Sequence, residues 1–146
     1  MPVDHLQLGP RLKFWTYGTL GLLFLSGVFW WTLQRWGMIE SEFGLAAHPL
    51  APWVLRLHGL AAMVFLVVLG ILLPLHVSRS WRVAKNRFSG AGMLLFLFIL
   101  GISGWLLYYA GGETFRTIVA MIHTWIGVAL PLVIVVHILL GRRSRI

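Results

Sequence analysis

Four long apolar stretches limit this chain to a membrane-embedded fold. They run over about 13–33, 53–77, 88–110 and 117–140. Each has the roughly 20 residues that an α-helix needs to cross a hydrocarbon core about 30 Å thick. Of the 146 residues only 11% are charged, whereas soluble domains carry about 25%. We therefore predict an all-α membrane protein, a four-transmembrane-helix bundle with up-down-up-down connectivity, in which residues 1–146 form a single domain.

The first apolar stretch is predicted to be a retained helix. Arg11 and Lys13 precede it, as basic residues precede the apolar part of a signal peptide. However, the stretch is long and ends in bulky aromatic residues, not in a small-residue cleavage site. The chain has no cysteine, which excludes disulfides, thioether-linked haem and cysteine-ligated iron–sulfur clusters on this chain.

The charged residues, which give a net charge of +8, are distributed along the chain as in membrane proteins. Basic residues fill the connection between the second and third stretches and both chain ends; they are Arg79, Arg82, Lys85, Arg87, Arg142, Arg143, Arg145, Arg11 and Lys13. The other two connections carry Glu40, Glu42 and Glu113. Because cytoplasmic loops are enriched in Lys and Arg, we predict a multi-pass membrane protein with both termini cytoplasmic. The same distribution argues against a nucleic-acid partner.

Four of the six histidines lie within the apolar stretches. His58 and His76 stand 18 residues apart on the second predicted helix. His123 and His137 stand 14 residues apart on the fourth. At about 100° and 1.5 Å per residue, each pair shares one helix face, with separations of about 27 Å and about 21 Å. Since the two helices run in the same direction, His58 is expected near the depth of His123. His76 is likewise expected near the depth of His137, toward the cytoplasmic side.

Facing histidine pairs in an apolar interior are suited to the axial ligation of haem iron. A zinc or copper site needs three or four protein ligands close together, and a proton relay would include intramembrane carboxylates. We therefore predict two bis-histidine haem b groups, one bound by His58 and His123 and the other by His76 and His137. A single haem, or a haem-free membrane subunit with an assembly, metal-handling or solute-handling role, stays open.

Three further residues are candidate haem contacts. Gly90 and Gly104, 14 residues apart on the third predicted helix, would let a wide macrocycle approach closely. Arg56, two residues before His58, is suited to an anionic haem propionate. Glycine is also common at helix contacts in membranes, and arginine often extends to the interface, so these ordinary roles stay open. The two histidine spacings differ by about 6 Å of rise, which helix tilt or a local unwinding at Pro74 would absorb.

With two histidines on each of the second and fourth helices, the chain resembles the haem core of cytochrome b in quinol–cytochrome c reductases. Its small size and the stretch LHVSRSWRVAKNRFSG, residues 75–90, look more like small bacterial di-haem membrane cytochromes b. That group includes the haem-bearing subunits of formate dehydrogenases and nickel–iron hydrogenases. The resemblance implies that the four histidines, His58, His76, His123 and His137, are axial ligands.

By the same resemblance, the chain would lie in the bacterial inner membrane and carry electrons between the quinone pool and a redox partner subunit of a respiratory complex. Quinone would be a possible substrate. The longest connection, 35–51, faces outward in the predicted topology, which slightly favours an extracytoplasmic partner. An enzyme that reduces quinone or ferric iron without a dedicated partner stays open as well.

Overall fold

The computed structural model describes residues 8–42, 44–82 and 87–143. Its elements in chain order are α1 (Pro10–Trp36), β1 (Ile39–Ser41), β2 (Gly44–Ala46), α2 (Ala51–Leu72), a π-helical turn (Leu73–Val77), α3 (Ser78–Arg82), α4 (Arg87–Tyr109) and α5 (Glu113–Arg143). Four helices are long and apolar enough to span a membrane: α1, the continuous helix Ala51–Arg82, α4 and α5. The predicted fold class, an all-α membrane protein with four transmembrane helices, is confirmed.

The helices extend beyond the apolar stretches that predicted them. The first begins at Pro10, where the missing N–H and the restricted φ of proline suit the first helical position. The last continues to Arg143, and its two terminal arginines, Arg142 and Arg143, complement the negative end of the helix dipole. Hydropathy identifies the part of a helix that lies in hydrocarbon. It does not predict the polar turns at the helix ends.

The described chain forms two compact units, residues 8–73 and residues 74–143. In the first unit α1 packs against α2, and an antiparallel β-hairpin joins them. The hairpin pairs Ile39 with Ala46 and Ser41 with Gly44, a feature that the sequence pattern did not predict. In the second unit α4 packs against α5. That residues 1–146 make one haem-binding domain stays a prediction.

Small and hydroxyl-bearing residues line the packed side of α1. Thr16, Thr19 and Ser26 are all buried, and each hydroxyl donates to the carbonyl four residues earlier. Small side chains let membrane helices approach closely, while the internal bond satisfies a hydroxyl that water does not reach. Large apolar side chains such as Phe14 and Leu25 are instead exposed, as expected of a lipid-facing surface.

The predicted local unwinding at Pro74 is present as the π-helical turn Leu73–Val77, which also contains His76. Proline lacks the N–H of a regular helix bond, and a wider turn accommodates its ring. Pro131, by contrast, lies within an unbroken α5. Proline at position 74 therefore changes the backbone at a histidine, whereas proline at 131 leaves the helix continuous.

The turn between α4 and α5 depends on Gly112, whose φ is 86°. A side chain in this left-handed region is strained, so Gly112→Ala should lower the free energy of unfolding by about 1 kcal/mol. Denaturation in detergent micelles, followed by tryptophan fluorescence, measures the change. The matched control is Gly111→Ala, since a Cβ there would meet none of the described atoms within 4 Å and no positive φ is required. Equal losses in both variants would contradict the assignment.

Candidate functional site

His58 packs against two adjacent residues of α1, Ser26 and Gly27, which together are called a Ser-Gly step. Its Nδ1 lies 3.0 Å from the hydroxyl oxygen of Ser26. A Cβ built on Gly27 would lie 3.1 Å from His58 Cε1, which is closer than ordinary contact. The serine therefore holds one edge of the imidazole, and the absent side chain of the glycine makes room for the ring.

The hydroxyl of Ser26 indicates which nitrogen of His58 carries the proton. Its single proton is donated to the carbonyl oxygen of Leu22 at 2.6 Å. The hydroxyl oxygen must then accept from His58, so Nδ1 is the protonated nitrogen. In this neutral tautomer Nε2 carries the lone pair that can bind a metal.

His123 repeats this arrangement in the second unit. Its Nδ1 lies 2.9 Å from the hydroxyl oxygen of Ser103, which also donates to the carbonyl of Leu100 at 3.2 Å. A Cβ on Gly104 would lie 3.3 Å from His123 Cε1. Ser103, like Ser26, is only 5% exposed, so both hydroxyls bond within the protein. The bond to His123 is the shorter of the two, and a Ser103 proton donated to Leu100 pairs with the tautomer of His123 that is protonated on Nδ1.

His137 bonds the serine of the remaining Ser-Gly pair, Ser89-Gly90. Its Nδ1 lies 3.2 Å from the hydroxyl oxygen of Ser89. Since His123 and His137 both bond serines of α4, they share the α4-facing side of α5, which confirms the same-face prediction for this pair. The two serines are themselves 14 residues apart, so one antiparallel register brings both serine–histidine pairs together.

His76 and His137 are neighbours in the second unit. Their ring centroids lie 6.5 Å apart, with the ring planes at 84°. Two imidazoles bound to one metal atom, each nitrogen about 2 Å from it, have centroids roughly 6 Å apart. The separation and the angle are those of an edge-to-face ring contact, and the sharing of one haem iron by this pair stays a prediction.

The donor set favours a cofactor that brings ligands of its own. Among residues 8–42, 44–82 and 87–143, no three His, Cys, Asp or Glu side chains come together as a metal site. All four membrane histidines are half-buried, so each presents part of its ring to its surroundings. Neutral imidazoles that offer one nitrogen each fit haem iron, to which the porphyrin supplies the other ligands.

The remaining candidates have different local roles. Arg56 is exposed, and its guanidinium lies 4.7 Å from the ring centroid of Trp53, a cation–π contact. Gly104 contacts His123, whereas a Cβ on Gly90 would meet none of the described atoms within 4 Å. A propionate contact of Arg56, and macrocycle contacts of either glycine, stay predictions.

The predicted pairing of His58 with His123, and the predicted helix face shared by His58 and His76, each involve residues of both units. Both stay predictions.

The sequence reasoning missed the three serines that bond the histidines. A signal was present, because Ser-Gly occurs three times in the chain, at 26–27, 89–90 and 103–104, each time inside an apolar stretch. The glycines at 90 and 104 are 14 residues apart, and the serines that precede them have the same spacing. The histidine spacing on the fourth predicted helix matches it too, which indicates two equivalent contacts between antiparallel helices.

No protein-family model, curated protein or solved structure matches this chain. Its function is therefore argued from the histidine sites themselves.

The close contact at Gly104 can be tested against a second glycine of α4. A methyl group at 104 must displace His123 and weaken its bond to Ser103, whereas a Cβ at Gly101 would meet none of the described atoms within 4 Å. We expect Gly104→Ala to be less stable than Gly101→Ala by about 1 kcal/mol, the usual net worth of one hydrogen bond. Thermal unfolding in micelles, followed by circular dichroism, measures the difference. Indistinguishable stabilities would show that the ring does not occupy the space beside Gly104.

Proposed function

We propose that this protein is a di-haem b-type membrane cytochrome. It carries electrons between the quinone pool and a redox partner subunit of a respiratory complex. It resembles the small bacterial di-haem cytochromes b, and it works as the electron-transfer subunit of a membrane oxidoreductase. The proposal assigns one haem to His58 and His123, and the other to His76 and His137.

The observation that carries the proposal is the serine bond on Nδ1 of three membrane histidines. Ser26, Ser103 and Ser89 each bond a histidine of the neighbouring helix at 2.9–3.2 Å. A hydrogen bond on one ring nitrogen is the usual way in which a metal-binding histidine is oriented. The bond therefore suits a ligand role, and its repetition gives three membrane histidines the same bonded ring nitrogen.

Haem b, when bound, supplies a one-electron iron couple. The chain's own residues provide the rest: two imidazoles per iron, an apolar surrounding, and fixed ring orientation. If His58 and His123 held one iron, and His76 and His137 the other, neither iron would have a position open for oxygen or a substrate. The chemistry supported is therefore electron transfer and not catalysis at iron.

The placement of the histidines along α5 supports transfer across the bilayer. Fourteen residues separate His123 from His137, a rise of about 21 Å. This is a large part of a hydrocarbon core about 30 Å thick. Centres at these two depths connect the outer side of the membrane to the cytoplasmic side, where the protein can exchange electrons with quinone or a partner.

The haem content of the purified chain tests the proposal directly. We expect a pyridine haemochrome spectrum with two b-type haems per chain. His123→Leu should retain one haem, because it removes one ligand of one pair. His48→Leu is the control, since His48 lies outside the four spans and its Nδ1 accepts from the backbone N–H of Leu50.

Each other haem content would lead to a different conclusion about the proposal. One haem in the wild-type protein would reduce the proposal to a single-haem subunit. No haem after expression with ample haem supply would favour the haem-free assembly, metal-handling or solute-handling role. Two haems retained in His123→Leu would overturn the assignment of His123.

The proposed orientation places both termini and the 78–87 connection on the cytoplasmic side of the inner membrane. Because the chain has no native cysteine, single substitutions report on sidedness without background. Ser41→Cys, in the β-hairpin, should react with a membrane-impermeant maleimide added to spheroplasts. Ser80→Cys, in α3, should react only after permeabilisation. The opposite labelling pattern would invert the topology and move the favoured partner to the cytoplasmic side.

A further inference from the structure

We infer that Ser26 and Ser103 are positioning residues that select Nε2 of His58 and His123 as the ligand nitrogen and set its donor strength. The inference rests on the proposed haem ligation and deepens it, because it assigns a redox-tuning role to two hydroxyl groups. Each serine lies on the helix that precedes its histidine's helix in the same unit.

The two sites have the same construction in separate units. In each, a serine with 5% exposure holds the imidazole Nδ1, at 3.0 Å from Ser26 and 2.9 Å from Ser103. In each, the serine hydroxyl also reaches a carbonyl of its own helix, and the next residue is a glycine beneath the ring. Two separate helix pairs thus bond the same nitrogen, Nδ1, of an imidazole.

The serine hydroxyls do not need the histidine bond in order to be satisfied. Thr19 is a comparison on α1, because it is buried and its hydroxyl donates to the carbonyl of Trp15 at 2.6 Å. Among the described residues, no histidine bonds that hydroxyl. A buried hydroxyl on this helix is therefore satisfied by its own backbone, and the bond from His58 uses the remaining acceptor capacity of Ser26.

A hydroxyl has a particular advantage as the acceptor inside a membrane. A carboxylate would orient the ring equally well, but burying its charge in hydrocarbon is costly. Serine is neutral, so it fixes the tautomer at low cost. As an acceptor on Nδ1–H it also raises the basicity of the ligand nitrogen, which stabilises the ferric state relative to the ferrous state.

The inference predicts a rise in midpoint potential when the acceptor is removed. Potentiometric titration of the full-length haem-loaded protein should show one haem at higher potential in Ser103→Ala and the other unchanged. Haem retention should also fall, by roughly ten-fold. Ser103→Thr keeps the hydroxyl and should restore both properties, while Thr19→Val, which removes a buried hydroxyl that bonds no histidine, should leave both haems unchanged. Ser103→Cys, which keeps the size but accepts poorly, replaces the alanine variant if that variant does not fold.

Ser26→Ala extends the test to His58. A shift of the same haem that responds to Ser103→Ala would support the inference and the pairing of His58 with His123. A shift of the other haem would support the positioning role and overturn the pairing. Unchanged potentials and unchanged ferric electron paramagnetic resonance spectra in both alanine variants would overturn the inference while leaving the cytochrome proposal intact.

Failure of the proposed function has a separate signature. If the wild-type chain binds no haem, nitrogen-15 magnetic resonance of labelled histidine still reports the ring tautomer. Protonation of Nδ1 in His58, lost in Ser26→Ala and retained in Thr19→Val, would support the positioning role of the serine without haem. A proton on Nε2 of His58 in the wild-type chain would overturn it.

Discussion

A buried imidazole in an apolar medium needs a hydrogen-bond partner, and most of the described site follows from this requirement. In hydrocarbon, water does not compensate for a missing partner, so the protein must supply one. Here it is supplied by serine hydroxyls on the adjacent helix. The hydroxyls of Ser26 and Ser103 also reach carbonyls of their own helix, and a hydroxyl that donates there accepts from the imidazole. The orientation of the ring and its tautomer are then determined together.

The Ser-Gly step combines two physical tasks in adjacent residues. Serine binds the near edge of the ring, and glycine lets the ring lie close to the backbone of the partner helix. The fit is tight at Gly27 and Gly104 and open at Gly90. His58 and His123 are therefore held against a surface on two sides. His137 has its serine bond and lies beside His76, whose backbone is in the π-helical turn. The surroundings of His58 and His123 thus differ from those of His76 and His137.

Hydropathy was sufficient to predict the four spans, because long apolar helices leave a simple sequence pattern. The 14-residue spacing of His123 and His137 also predicted their common face, since both lie on one helix. The serine partners could not be derived in the same way, because they depend on the register between two antiparallel helices. The β-hairpin of residues 39–46 was missed because its strands are short and lack an alternating pattern. The effect of Pro74 was predicted, but the form it takes, a π-helical turn, depends on local packing.

The equal spacing of the serines on α4 and the histidines on α5 has a consequence for how such a protein can evolve. Changing the distance between the two sites would require insertions of equal length in both helices. Each insertion must also return the side chains to the same face, which restricts it to about seven residues, or roughly 10 Å. In the proposed cytochrome, the distance between the two haems would therefore not be continuously adjustable. Selection can tune the ligands gradually, but it can alter the gap between centres only in large, paired steps.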